Sequence, residues 1–156
     1  MAISPRDDIM LHQRLPSDSD PLRIEHRNER PDQIGRMSAQ VDVATGTIRA
    51  TGTGTFSPTQ VRAYFRDLGA AIGRIHDAGR SVSALIDLRG SAAQPPEMVA
   101  LIDEATRTLY SGNDRVAMVV PTSVMKLGLR RALDARCHDF FLSLTAAQTW
   151  LSAWAR

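Results

Sequence analysis

Apolar and charged residues alternate along Leu22-Arg23-Ile24-Glu25-His26, the period of a half-buried strand. Arg27 to Asp32 reads as a charged turn, after which Met37, Ala39, Val41 and Val43 alternate with Ser38, Gln40 and Asp42. Ala44-Thr45-Gly46 supplies a turn, and Thr47-Ile48-Arg49-Ala50-Thr51 leads back out. This segment predicts a hairpin with threonine-rich strands. At Ser57 the period changes. Ser57 caps a helix with Pro58 at its first position, and Val61, Tyr64, Phe65, Leu68, Ile72 and Ile75 recur at helical spacing until Gly79.

Ser81 to Leu88 is a mostly apolar run of strand length, suited to a central position. Gln94-Pro95-Pro96-Glu97 opens a second helix whose buried stripe is Met98, Leu101, Ile102, Ala105 and Leu109. Gly112-Asn113-Asp114 is a turn, and Arg115 to Val120 a second buried strand stopped by Pro121. Thr122 or Ser123 caps a third helix that runs to about Arg136. His138 to Leu142 is a short aromatic strand, and a closing helix starting between Ser143 and Ala146 carries Trp150, Leu151 and Trp154. Helices alternating with strands after a hairpin imply right-handed crossovers and a mainly parallel sheet.

Composition narrows the class. A chain of 156 residues, 43% hydrophobic and 23% charged, has the make-up of one globular domain. Pro5, Pro16 and Pro21, with Ser17-Asp18-Ser19-Asp20, mark 1–21 as a poorly ordered tail ahead of a single domain at 22–156. A formal charge of only +2 argues against a protein held to nucleic acid by bulk phosphate attraction. One cysteine, Cys137, excludes an internal disulfide framework and fits a reducing compartment. Acids in the first eight residues disfavour a secretion signal, and no stretch has the length of a membrane span, so a cytoplasmic protein is expected.

Motifs that tempt a catalytic reading are weak. Gly52-Thr53-Gly54-Thr55-Phe56-Ser57 resembles a dinucleotide loop, but Ser57 replaces its third glycine and Asp77 sits at a helix end, where a ribose carboxylate does not belong. The simpler reading is a strand continuing through Thr51, Thr53 and Thr55 with glycines on its other face. His12, His26, His76 and His138 lack metal-ligand spacing. Cys137 and His138 are neighbours, but adjacent strand residues point to opposite faces, so a buried structural thiol is expected. Lys126, Arg130, Arg131 and Arg136 contribute to five basic residues against two acidic ones over 121–156; a solvated helix face accounts for them, and a binding site for an acidic partner or head group is the sharper alternative. Trp150 and Trp154, one helical turn apart, pack on the sheet or, if exposed, mark an interface. In open α/β sheets, ligands bind outside the carboxyl ends of the strands. That edge holds Asp87-Leu88-Arg89-Gly90-Ser91 and Pro121-Thr122-Ser123, the latter at a helix N-terminus able to receive an anion or simply capped by its hydroxyls.

Gly54 before the first helix, Ala84 to Gly90, Val116 to Val120 followed by Pro121-Thr122-Ser123, and Ala146 to Leu151 carry a resemblance to the SpoIIAA-like fold. That group includes STAS (sulphate transporter and anti-anti-sigma) domains. The resemblance covers roughly Met37 to Trp154 and is nearest to small stand-alone bacterial proteins grouped with STAS and lipid-binding SEC14-like domains. It implies an α/β domain with a short, mostly parallel sheet, an N-terminal β-hairpin and four helices. STAS anti-anti-sigma factors carry an Asp-Ser pair at the start of the helix after the Asp-Leu strand, the serine being phosphorylated. Pro95 and Pro96 stand there in this chain, and Ser91 lies too early, so the usual serine switch is not expected.

The expected function is a non-catalytic regulatory or interaction module docking a protein partner through Asp87, Arg89, Ser91, Pro95, Thr122 and Ser123. The alternative, implied by the SEC14-like side of the resemblance, is a carrier or sensor of a small apolar or amphipathic ligand, which requires a cavity. A small hydrolase using Asp87 with Ser123 or His138 ranks third, since no catalytic constellation is recognisable. No cofactor, metal or nucleic acid is implied. An exposed hairpin edge at 37–55 and the tryptophan pair would favour a homodimer.

Overall fold

A computed structural model describes residues 20–28, 35–133 and 136–154. The expected tail, apart from Asp20 and Pro21, lies outside the described residues, with His12 and most of the charged turn after Arg27. The chain forms β1 (Leu22–Arg27), β2 (Arg36–Asp42), β3 (Thr47–Gly54), α1 (Pro58–Asp77), β4 (Ser83–Ser91) and α2 (Pro96–Arg107). It continues with β5 (Arg115–Val119), α3 (Ser123–Ala132), β6 (His138–Phe141) and α4 (Leu144–Ala153).

The six strands lie in one sheet in chain order. β1, β2 and β3 pair antiparallel, and β3, β4, β5 and β6 pair parallel. The sheet is therefore mixed: an antiparallel meander is joined through β3 to a four-stranded parallel half. β1 covers the outer side of β2, so the hairpin edge expected to be exposed is paired on both sides.

Local chemistry accounts for the element ends. Ser57 and Gln60 form a capping box, the Ser57 hydroxyl accepting from the Gln60 N–H and the Gln60 side chain accepting from the Ser57 N–H. Gly46 adopts φ 74° in the hairpin turn, where a Cβ would come within 2.3 Å of the Ser81 carbonyl oxygen; its own carbonyl accepts from the Ser83 N–H. That bond ties the hairpin turn to the start of β4.

The two sheet faces are covered differently. On one, Ile24, Met37, Val41, Ile48, Ala84, Val116 and Phe140 pack in a cluster with the buried stripe of α1 and with side chains of α2 and α3. On the other, Leu85, Ala117 and Val119 pack against Ala147, Trp150 and Leu151 of α4. Val116 to Val119 of β5 are accordingly buried on both faces. α4 reaches only the parallel half, where it touches β4, β5 and β6. Behind the meander the sheet carries a shallow polar depression lined by Arg23, Glu25, Arg36, Ser38, Gln40 and Arg49. No helix of the described residues is long and apolar enough to cross a membrane.

Candidate functional site

The helices over the carboxyl ends of β4 and β5 do not close. α1 buries seven residues, α2 buries only Met98, and α3 buries none. Between α2 and α3 lies a groove of about 570 Å³, within the ~300–1,000 Å³ usual for small-molecule sites. Pro96, Val99 and Ala100 of α2 form one wall, and Val124, Met125, Gly128 and Leu129 of α3 the other. Phe56, Leu88 and Met118 lie at its base. These three, with Ile102 and Leu133, also border an inner cavity of about 70 Å³ that reaches Tyr64, Tyr110 and His138. Gly52 lines that cavity as well; a Cβ there would stand 2.9 Å from both Leu88 and Phe56.

Backbone hydrogen bonds fix the rim. The Gln94 amide oxygen accepts from the Phe56 N–H, and its nitrogen donates to the carbonyls of Gly54 and Ala92. The loop leading into α2 is thereby pinned to the β3–α1 turn. Pro95 is the N-cap residue of α2, and its carbonyl accepts from Met98 and Val99. The Thr122 hydroxyl accepts from the Met125 N–H at 3.1 Å and caps α3.

The six residues singled out from sequence divide into two groups. Ser91 and Thr122 line the groove, and Pro95 adjoins the lining residue Pro96. The Ser91 hydroxyl donates to the Leu88 carbonyl at 2.8 Å. Ser123, exposed, opens α3. Asp87 and Arg89 instead form a bidentate pair, with Nε and Nη2 of Arg89 at 2.9 and 2.7 Å from the two carboxylate oxygens. Strand alternation gives Asp87 the face of Leu85, under α4, and Leu88 the groove face. The guanidinium holds the Asp87 carboxyl below its usual range.

A further groove residue escaped the sequence reading. Asp103 of α2 lines the groove with its side chain 13% exposed. Its Oδ2 lies 2.7 Å from Nη2 of Arg107. Its Oδ1 is buried without a hydrogen-bond partner, the one such side-chain atom among the described residues. Leaving a buried acceptor unpaired costs about 1–3 kcal/mol. The available signal was an aspartate within the apolar stripe Met98-Leu101-Ile102-Ala105, together with the small residues Ala100, Gly128 and Ala132 where larger ones would fill the space.

Two of the described histidines are engaged elsewhere. His26 pairs with Asp67 at 2.7 Å and His76 with Asp114 at 2.9 Å. Contrary to the expectation that Cys137 and His138 point apart, Sγ lies 3.4 Å from Nδ1 of His138. Cys137 sits in the turn before β6, outside the alternation of the strand, and is only partly buried. Trp150 packs against Phe141, whereas Trp154 is 57% exposed with the Arg115 guanidinium 4.3 Å over its ring. No group of three or more His, Cys, Asp and Glu side chains able to hold a metal occurs among the described residues.

Fold and site together define an α/β protein with a mixed six-stranded sheet and an open apolar groove at the carboxyl ends of its central strands. Comparison with protein-family models, curated proteins and solved structures finds no significant match.

Proposed function

We propose that this protein is a non-catalytic binding module of SpoIIAA-like architecture whose α2–α3 groove takes a small apolar or amphipathic molecule. The observation that carries the reading is the groove itself: about 570 Å³, walled by aliphatic side chains at the strand ends where open α/β sheets bind ligands. Pro95 and Pro96 where STAS factors have Asp-Ser fit a module that works without serine phosphorylation.

A second reading is that a protein partner docks on the same edge. Its support is α3, where Val124 is 83% and Leu127 53% exposed. The two readings separate because Leu127 does not line the groove.

The test is a titration with the neutral dye Nile red. The expected result is enhanced fluorescence saturating at one dye per chain, abolished by Gly128→Phe with an unchanged circular dichroism spectrum and retained by Leu127→Ser. Absence of enhancement, or equal enhancement in Gly128→Phe, would overturn the proposal.

A further inference from the structure

Two phenols beneath the groove have no hydrogen-bond partner among the described residues. Tyr64 of α1, 4% exposed, and Tyr110, in the loop after α2, both line the inner cavity of about 70 Å³. Burial is what chiefly raises both phenols, and no hydrogen bond contributes to either. Tyr110 is raised further by Tyr64, so the two hydroxyls are near one another. Among the described residues, Asp103 Oδ1 is the one unpaired side-chain atom sealed from all open space. The phenol oxygens, unpaired as well, are therefore not sealed, and for Tyr64, so nearly buried, the open space is the cavity it lines. The Thr106 hydroxyl at the same cavity is engaged, donating to the Asp103 carbonyl.

We infer that the groove's ligand binds head first and that its head is a neutral carbonyl, the oxygen accepting from the Tyr64 and Tyr110 hydroxyls in the cavity. This rests on the groove reading above and adds the place and chemistry of the head group. A water molecule takes about 30 Å³ in the liquid, so the cavity has room for a head of about two or three heavy atoms. Phe56, Leu88, Ile102, Met118 and Leu133 line both spaces. The cavity and the groove thus adjoin across side chains that rotate about single bonds, and the ligand's aliphatic body stays in the groove. Two neutral donors facing one small space suit an acceptor with two lone pairs, which a carbonyl oxygen supplies. An alcohol brings a further donor to a space already holding two. A carboxylate requires a counter-charge, and no Lys or Arg lines the cavity.

The experiment follows Nile red displacement by 2-octanone, by 2-methyl-1-octene, in which a methylene replaces the carbonyl oxygen, and by octanoate. It uses the unaltered protein, Tyr64→Phe and Tyr110→Phe. Because neither hydroxyl has a partner in the protein, both variants are expected to fold with unfolding midpoints no lower than the parent's. Each is expected to weaken 2-octanone about tenfold, the ratio of one net hydrogen bond, and to leave the alkene unchanged. The carbonyl stretch of bound, ¹³C-labelled 2-octanone should lie below its position in hexane and move back toward it in each variant. Unchanged ketone affinity in both variants, or a stretch equal to that in hexane, shows phenols satisfied by trapped water alone and overturns the head-group inference. Octanoate binding more tightly than 2-octanone overturns it too. In these cases continued binding of the alkene and Nile red leaves the groove reading standing. Binding of none of the ligands, with no Nile red enhancement, overturns the groove reading and this inference with it.

Discussion

The Asp114 carboxylate and the His76 imidazole meet 2.9 Å apart, joining the end of α1 to the turn before β5. Asp114 is fully buried. Its Oδ1 also accepts from the Val82 N–H at 2.7 Å and its Oδ2 from the Ser111 N–H at 2.8 Å. One side chain thus ties the approach to β4, the approach to β5 and the last turn of α1. Asp114→Ala strands two backbone donors and is expected to lower stability by roughly 2–4 kcal/mol in urea denaturation. His76→Ala, whose partner keeps its backbone donors, is expected to cost about 1 kcal/mol. A smaller loss from Asp114→Ala than from His76→Ala would contradict the hub role.

Two glycine-to-alanine changes are expected to act in opposite directions. At Gly46, φ is 74° and the new Cβ meets the Ser81 carbonyl, so Gly46→Ala should cost about 2–3 kcal/mol. At Gly73, within α1, a Cβ meets nothing within 4 Å, and Gly73→Ala should stabilise by about 1 kcal/mol through helix propensity. Thermal unfolding midpoints of the two variants read both signs.

Tyr64 and Tyr110 are the two tyrosines of the chain, and burial pushes both phenols well above their usual range. Neither is expected to ionise in the folded protein near pH 10, where the unfolded chain does. Above that pH the unfolded state therefore binds fewer protons, and stability falls as pH rises. Absorbance at about 295 nm, which reports tyrosinate, should rise together with loss of the folded circular dichroism signal. A separate step near pH 10 in folded protein would show open phenols.

The Asp87–Arg89 pair gives the opposite sign at acid pH. Arg89 lowers the Asp87 carboxyl in the folded state, so the stability it supplies is present above the unfolded pKa of about 3.9. That contribution is lost as pH falls through the folded value. Carboxyl carbon NMR should place the Asp87 midpoint below the ordinary range, and Arg89→Ala should return it there.

The sequence by itself determined the order and type of the elements. Alternation marked β1 and the hairpin, Ser57-Pro58 marked the start of α1, and Pro121 with Thr122 separated β5 from α3. These signals are local: a period, a cap or a residue without an N–H acts within a few positions of itself. The tertiary structure decided how the strands pair and what the helices leave open. Sheet pairing depends on which edges meet across the chain, so β1 closing the hairpin's outer side was not legible, nor was the mixed sheet it produces. The groove is set by the distance between α2 and α3, which depends on how small side chains on both helices face one another. Asp103 took its meaning from that space, because an aspartate in an apolar stripe becomes an unpaired acceptor only when the packing denies it a donor.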